Sequence, residues 1–210
     1  MGAIFEFFLF LFLLGWMIEK ISTMKISLLK QQIFVDLPAY LKRIYRISIS
    51  RNKHEKVVWN KLIKLHKKKS WSYGIYEIAN YVETVFELMP NIQVAYYYMI
   101  YQGSFHCRVK VLQEFSPELA TDLFILASHF NNLLNNGVVV VNSESRYVEY
   151  HVKSSILLHL LFPGEIESQI LRHYYTSKDV YWAFAKLVND NEVPAMIIAD
   201  LMRTKSKEEK

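Results

Sequence analysis

A single cysteine, Cys107, stands in 210 residues, so no intrachain disulfide can form and no C-x-x-C pair exists to hold zinc. The six glycines, at positions 2, 15, 74, 103, 137 and 164, never cluster. A phosphate-cradling G-x-x-x-x-G-K loop and a G-x-G-x-x-G dinucleotide turn are both absent, as is the G-x-S-x-G elbow of serine hydrolases. Seven histidines (54, 66, 106, 129, 151, 159, 173) never fall into H-E-x-x-H spacing and are read as scattered core and surface residues. His106 and Cys107 are neighbours on a predicted strand, so their side chains point to opposite faces and cannot pair; Cys107 is expected as a small apolar filler. Glu165 and Glu167, two apart on a predicted helix, diverge and mark a solvated face. No constellation supports catalysis, a cofactor or a metal, and the expectation is a protein that is not an enzyme.

What the chain does have is an apolar opening. From Ala3 to Ile18 it reads AIFEFFLFLFLLGWMI, with Glu6 the one charge. A helix apolar on every side must be buried all round, most simply in lipid, and residues 1–19 are expected to form a transmembrane or anchoring helix. Sixteen to eighteen residues give roughly 24 to 27 Å, short of a ~30 Å hydrocarbon core, so local thinning or Glu6 at the far interface is needed. A cleaved signal peptide is the alternative; no Lys or Arg precedes the run and no A-x-A-like site follows it.

Charge is polarised along the chain. Residues 20–69 carry 14 Lys or Arg against Asp36 and Glu55, a net of +12 inside an overall +5, while residues 70–210 are net −5. Positive charge stays inside, so the expected location is the cytoplasmic membrane, single-pass, with the C-terminal domain in the cytoplasm. The basic zone 20–70 is expected to be helical and juxtamembrane, drawn to anionic lipid by Lys42, Arg43, Arg46, Lys61, Lys64, Lys67, Lys68 and Lys69 at ~1 kcal/mol each. The competing reading is nucleic-acid binding by residues 42–69, for which no zinc-finger or RNA-recognition signature is present.

Periodicity sets the remaining expectations. Asn52 and Glu55 form a candidate capping box before a helix carrying Val58, Leu62 and Leu65 to Lys69. Ile75, Ile78, Ala79, Val82, Phe86 and Met89 recur at helical spacing and predict a helix stopped by Pro90. Residues 92–101 and 104–113 predict a β-hairpin through Gln102 to Ser104, with Phe105, Cys107, Val109 and Val111 on one face. Ser116 and Pro117 open a long helix carrying Leu119, Leu123, Leu126, Ala127, Phe130 and Leu134, closed at Asn136 and Gly137. A second hairpin pairs 137–142 with 146–153, residues 154–162 are ambiguous, and Pro163 and Gly164 introduce a helix with Ile166, Ile170 and Tyr174. Two short helices are expected at 178–189 and 194–203, then a disordered tail at 204–210. The fold expected for residues 71–203 is α+β, an antiparallel sheet built from two β-hairpins and packed with helices on one side.

Tyrosines and tryptophans are the residual enrichment. Alternation buries every second tyrosine of Tyr96, Tyr97 and Tyr98 in an ordinary core, leaving Tyr97, Tyr101, Tyr175 and Trp182 as candidate protein-binding residues.

With these elements in order, residues 75–203 resemble the YbjN family, whose domain is similar in fold to type III secretion chaperones. The resemblance rests on the helix before the first hairpin, the FSPE junction at Phe115 to Glu118, HFNNLLNN at His129 to Asn136, and the GVVVVNSESRYVEYHV hairpin. It implies a non-enzymatic, regulatory or protein-binding domain, often a homodimer, with no catalytic residues to carry over; the protein partner is not named by it.

Overall fold

The structure, a computed structural model, describes residues 41–42, 53–162 and 164–208. The expected anchor at 3–18, Arg43, Arg46, Asn52 and most of the 20–51 segment lie outside them. The chain divides into two compact units, Met1–Ile49 and Ser50–Lys210. In the first, residues 41 and 42 are helical and Lys42 is exposed.

The second unit is α+β, with helices packed on one face of a six-stranded antiparallel sheet. It begins with α1 (His54–Lys69), whose stripe His54, Val58, Leu62 and His66 is buried at a spacing of four. Strands β1 (Tyr73–Tyr76), β2 (Tyr81–Met89), β3 (Ile92–Tyr101) and β4 (Ser104–Leu112) follow as consecutive hairpins. A 3-10 turn (Pro117–Leu119) leads into α2 (Ala120–Leu133), then come β5 (Val138–Asn142), β6 (Tyr147–Ser155), α3 (Ile156–Leu161), α4 (Glu165–Asp190) and α5 (Pro194–Glu208). The strand order is β1-β2-β3-β4-β6-β5, and every pairing is antiparallel.

Both predicted hairpins are present. The β3–β4 turn is made by Gln102 (φ 48°) and Gly103 (φ 70°), two consecutive left-handed residues whose twist matches the flanking strands. Phe105, Cys107, Val109 and Val111 are buried together as expected, and so are Val148, Tyr150 and Val152 on β6. The helix after Pro117 buries Leu123, Leu126, Ala127 and Phe130.

The predicted helix over 75–89 is instead a β-hairpin. The helical spacing of its apolar residues is accidental: Ile78 sits in the turn at 104% relative exposure, and Ile75 is exposed on β1. The operative pattern has period two. Val82, Thr84 and Leu88 are buried with Phe86 beside them, against Tyr81, Glu83, Val85 and Glu87 on the other face. Aromatic and β-branched residues dominate this stretch, and they suit a strand better than a helix. Pro90 sits in the two-residue turn to β3 with Asn91 at φ 66°.

Two further expectations change. Glu55 accepts from the Gly103 amide at 2.7 Å, so its carboxylate clamps the β3–β4 turn; the other half of the expected capping box, Asn52, lies outside the described residues. The helix expected at 178–189 is the second half of α4, which runs unbroken for 26 residues from Glu165 because no glycine or proline interrupts it. The backbone of α5 continues through most of the expected disordered tail, to Glu208.

Side chains from the helices meet one face of the sheet. Tyr96 bonds Ser177 at 2.6 Å, Gln169 reaches Cys107, and His66, His159 and His173 pack on Tyr98, Phe105 and Tyr150. At the β5 edge the Asn131 amide bonds both the N–H and the C=O of Val139, standing in for the missing neighbour strand.

Candidate functional site

Three regions carry distinctive chemistry: the outer surface of α1, the sheet face away from the helices, and a polar seam in the core. On α1, helical geometry at 3.6 residues per turn sets Lys53, Lys56, Lys64 and Lys67 directly opposite the buried stripe. All four are exposed. Because Val58 and Leu62 are fully buried and His66 bonds into the sheet, this positive stripe is fixed in orientation. Of the residues predicted from sequence, Lys64, Lys67 and Lys68 belong to the exposed side. Lys61 reaches back to donate to the His159 carbonyl at 2.9 Å, and Lys69 pairs with Glu167 on α4. Lys53 and Lys56 complete the stripe; the helical register, taken one turn further toward the N-terminus, was the signal that would have found them.

The four aromatic candidates fall on two surfaces. Tyr97 and Tyr101 share the sheet face that carries no described helix, where Tyr97 meets Tyr81 edge-on at 5.7 Å and Tyr81 stacks on Tyr76 at 4.5 Å. Tyr175 and Trp182 lie on α4, on the helical side. Tyr175 is 62% exposed and lines a pocket of about 310 Å³ with Leu134, Asn136, Tyr150, Gln169 and His173. Trp182 is half-buried under the Lys186 ammonium, 4.7 Å from its ring centre.

On the sheet face away from the described helices, Arg108 grips the buried Glu149 with two parallel bonds, Nε to Oε1 at 2.7 Å and Nη2 to Oε2 at 2.9 Å. Beside them His106 Nδ1 and His151 Nε2 approach to 3.1 Å with their rings stacked. Burial lowers both imidazole pKa values; the neighbouring ring adds to the effect at His106, and Arg108 adds to it at His151. Among the described residues no group of three or more His, Cys, Asp or Glu could hold a metal ion.

The core seam is built from neutral histidines. His66 Nδ1 must donate to the Leu62 carbonyl, so its Nε2 accepts from the Thr84 hydroxyl, each at 2.8 Å. The Ser154 hydroxyl donates to Gln169 and accepts from His159 Nε2, and His173 Nε2 donates to the Tyr150 carbonyl. The Nδ1 atoms of His159 and His173 are then bare acceptors, and with the Tyr98 hydroxyl they have no hydrogen-bond partner among the described residues. Burial pushes His159 down to about 4 and His173 to about 3. Cys107 is fully buried and its thiol pKa is raised by burial, which makes it a poor nucleophile.

No family model matches the sequence, and no curated protein matches it. Among solved structures, the fold is similar to the crystal structure of YbjN, a "putative transcription regulator" from E. coli. The TM-score is 0.43 at 10% sequence identity, over 60% of this chain and 90% of that one. This neighbour carries the name of the family that the sequence resembles, and the likeness concerns fold alone.

Proposed function

We propose that the chain is a non-enzymatic protein-interaction or regulatory domain held at the cytoplasmic surface of a membrane. Residues 3–18 supply the anchor, and the positive stripe of α1 faces anionic lipid. The observation that carries this reading is the placement of Lys53, Lys56, Lys64 and Lys67 opposite a fully buried stripe, which gives a positive surface of fixed direction. Each Lys near an anionic leaflet contributes about 1 kcal/mol, and the attraction fades within a Debye length, about 8 Å at physiological salt. Protein binding is supported by the sheet face that no described helix covers and by the exposed Tyr101 and Tyr175.

Fractionation and protease access test the anchoring. The full-length chain is expected in the membrane fraction, resistant to protease added from the periplasmic side of intact cells. Solubility without detergent, or digestion from that side, contradicts it.

A further inference from the structure

The short helix α3 turns no polar side chain to water. Its six residues read ILLHLL: Ile156, His159 and Leu160 form the buried stripe, and helical geometry sets Leu157, Leu158 and Leu161 opposite them. Leu157 and Leu158 are each 42% exposed, and Phe162, the next residue, is exposed as well. A surface helix ordinarily carries polar residues on its outer side, so an outer stripe made of leucine marks a contact surface for something apolar.

That stripe opens on the same side of the domain as the lysines of α1. His159 packs edge-on against Phe105 with ring centres 4.8 Å apart, and His66 bonds Thr84. Both helices therefore dock on one face of the sheet, and their opposite stripes both turn outward. The two are also neighbours, joined where Lys61 of α1 donates to the His159 carbonyl of α3. On the flank of α1 that bears Lys61, Val57 is exposed; Lys53 and Lys64, at spacings of four and seven from it, border it. The acidic residues that open α4 do not offset this charge, because Glu165 is paired with Arg172 and Glu167 with Lys69. Leucines on α3 thus lie beside a row of fixed cations on α1.

We propose that α3 is an interfacial wedge: with the α1 lysines at the headgroups of an anionic leaflet, Leu157 and Leu158 enter the acyl boundary, where in-plane helices sit roughly 5 to 10 Å deep. An anionic bilayer matches both halves of this surface, with negative headgroups for Lys53, Lys56 and Lys64 and acyl chains for the leucines. The inference rests on the lipid reading of α1 and adds to it. Charge brings the domain to the leaflet, and burial of the leucines slows its release. A protein that covers the leucines is the competing occupant.

A polarity-sensitive fluorophore on single new cysteines of the full chain, in vesicles of phosphatidylglycerol and phosphatidylcholine, tests this. Cys107 is fully buried and stays unlabelled under native conditions. Labels are placed at Leu158→Cys on α3, at Asn60→Cys among the α1 lysines, and at Val140→Cys on the opposite sheet face. The label at 158 is expected to brighten severalfold and to be quenched by lipid carrying a nitroxide high in its acyl chain, and the label at 140 to stay in water. Leu157→Ser with Leu158→Ser is expected to cut the lipid response of the label at 60 severalfold. A label at 60 that senses lipid while the label at 158 stays in water, or a serine variant that responds like wild type, overturns the wedge and leaves the lipid reading of α1 standing. Silence at both 60 and 158 overturns the two together. A label at 158 that brightens with protein concentration in the absence of lipid overturns the wedge in favour of a protein occupant. Should the serine variant lose its cooperative melt, quenching at 158 in the otherwise native chain decides alone.

Discussion

His173 lies flat against Tyr150, with ring centroids 5.0 Å apart and planes 16° apart, and its Nε2 donates to the Tyr150 carbonyl at 3.3 Å. The imidazole is 1% exposed, so in the fold it stays neutral well below the pH at which a free histidine charges.

That relationship sets a pH dependence of stability. His173 near 3 and His159 near 4 in the folded state, with His66 lowered in the same direction, bind fewer protons than the same residues unfolded at about 6.5. Where the unfolded state binds more protons, stability rises with pH. Stability is therefore complete above about pH 7 and falls as pH drops from 6.5 toward the folded values. The melting temperature is expected to fall by several degrees between pH 7.5 and pH 5, and His173→Phe, which removes the titrating ring, to flatten that slope. An equal slope in wild type and variant would show that His173 is not the residue titrating.

The core under α2 sets a second expectation. Leu126 is fully buried and Phe130 is 1% exposed, packed 6.4 Å from Phe184 of α4. Truncation of either to Ala is expected to cost about 2 to 5 kcal/mol. His106→Ala gives up one hydrogen bond on a part-exposed face and is expected to stay within about 1 kcal/mol. Thermal melts of the three variants check the ranking, and a His106→Ala collapse with Leu126→Ala tolerated would reverse it.

Gly137 marks the entry to β5 at φ 87°, and a Cβ there would lie 2.7 Å from Val152 Cγ2 and 2.8 Å from the His151 carbonyl oxygen. The carbonyl belongs to the neighbouring strand and cannot step aside. Gly137→Ala is expected to lose at least about 2 kcal/mol, from left-handed strain and the clash together, read as a lowered urea midpoint. Gly103→Ala is the comparison: its φ is 70°, but nothing lies within 4 Å of the added atom, so it should cost less.

Much of the sheet was legible in the sequence because β3 and β4 each have one buried face, and alternation then reports burial directly. The β1–β2 hairpin was not, because the exposed Ile75 and Ile78 supplied apolar residues with no core behind them. The stripe on α1 was only partly visible: composition shows a basic segment, whereas its fixed direction depends on Val58, Leu62 and His66 docking on strands further along the chain. The histidine seam had no local signal at all. His66, His159 and His173 come from three helices and share a layer only because the sheet gathers them.

The most direct measurement for the membrane-surface reading is vesicle binding by a fragment of residues 20–210, which lacks the apolar run. It is expected to sediment with acidic vesicles at low salt, to release at high salt, and to bind neutral vesicles weakly. Changing Lys56, Lys64 and Lys67 to Gln together should cut acidic-vesicle binding at least tenfold with the melting temperature unchanged. Equal binding to neutral and acidic vesicles, indifference to those three substitutions, or tighter binding to DNA than to acidic lipid at matched salt would contradict it.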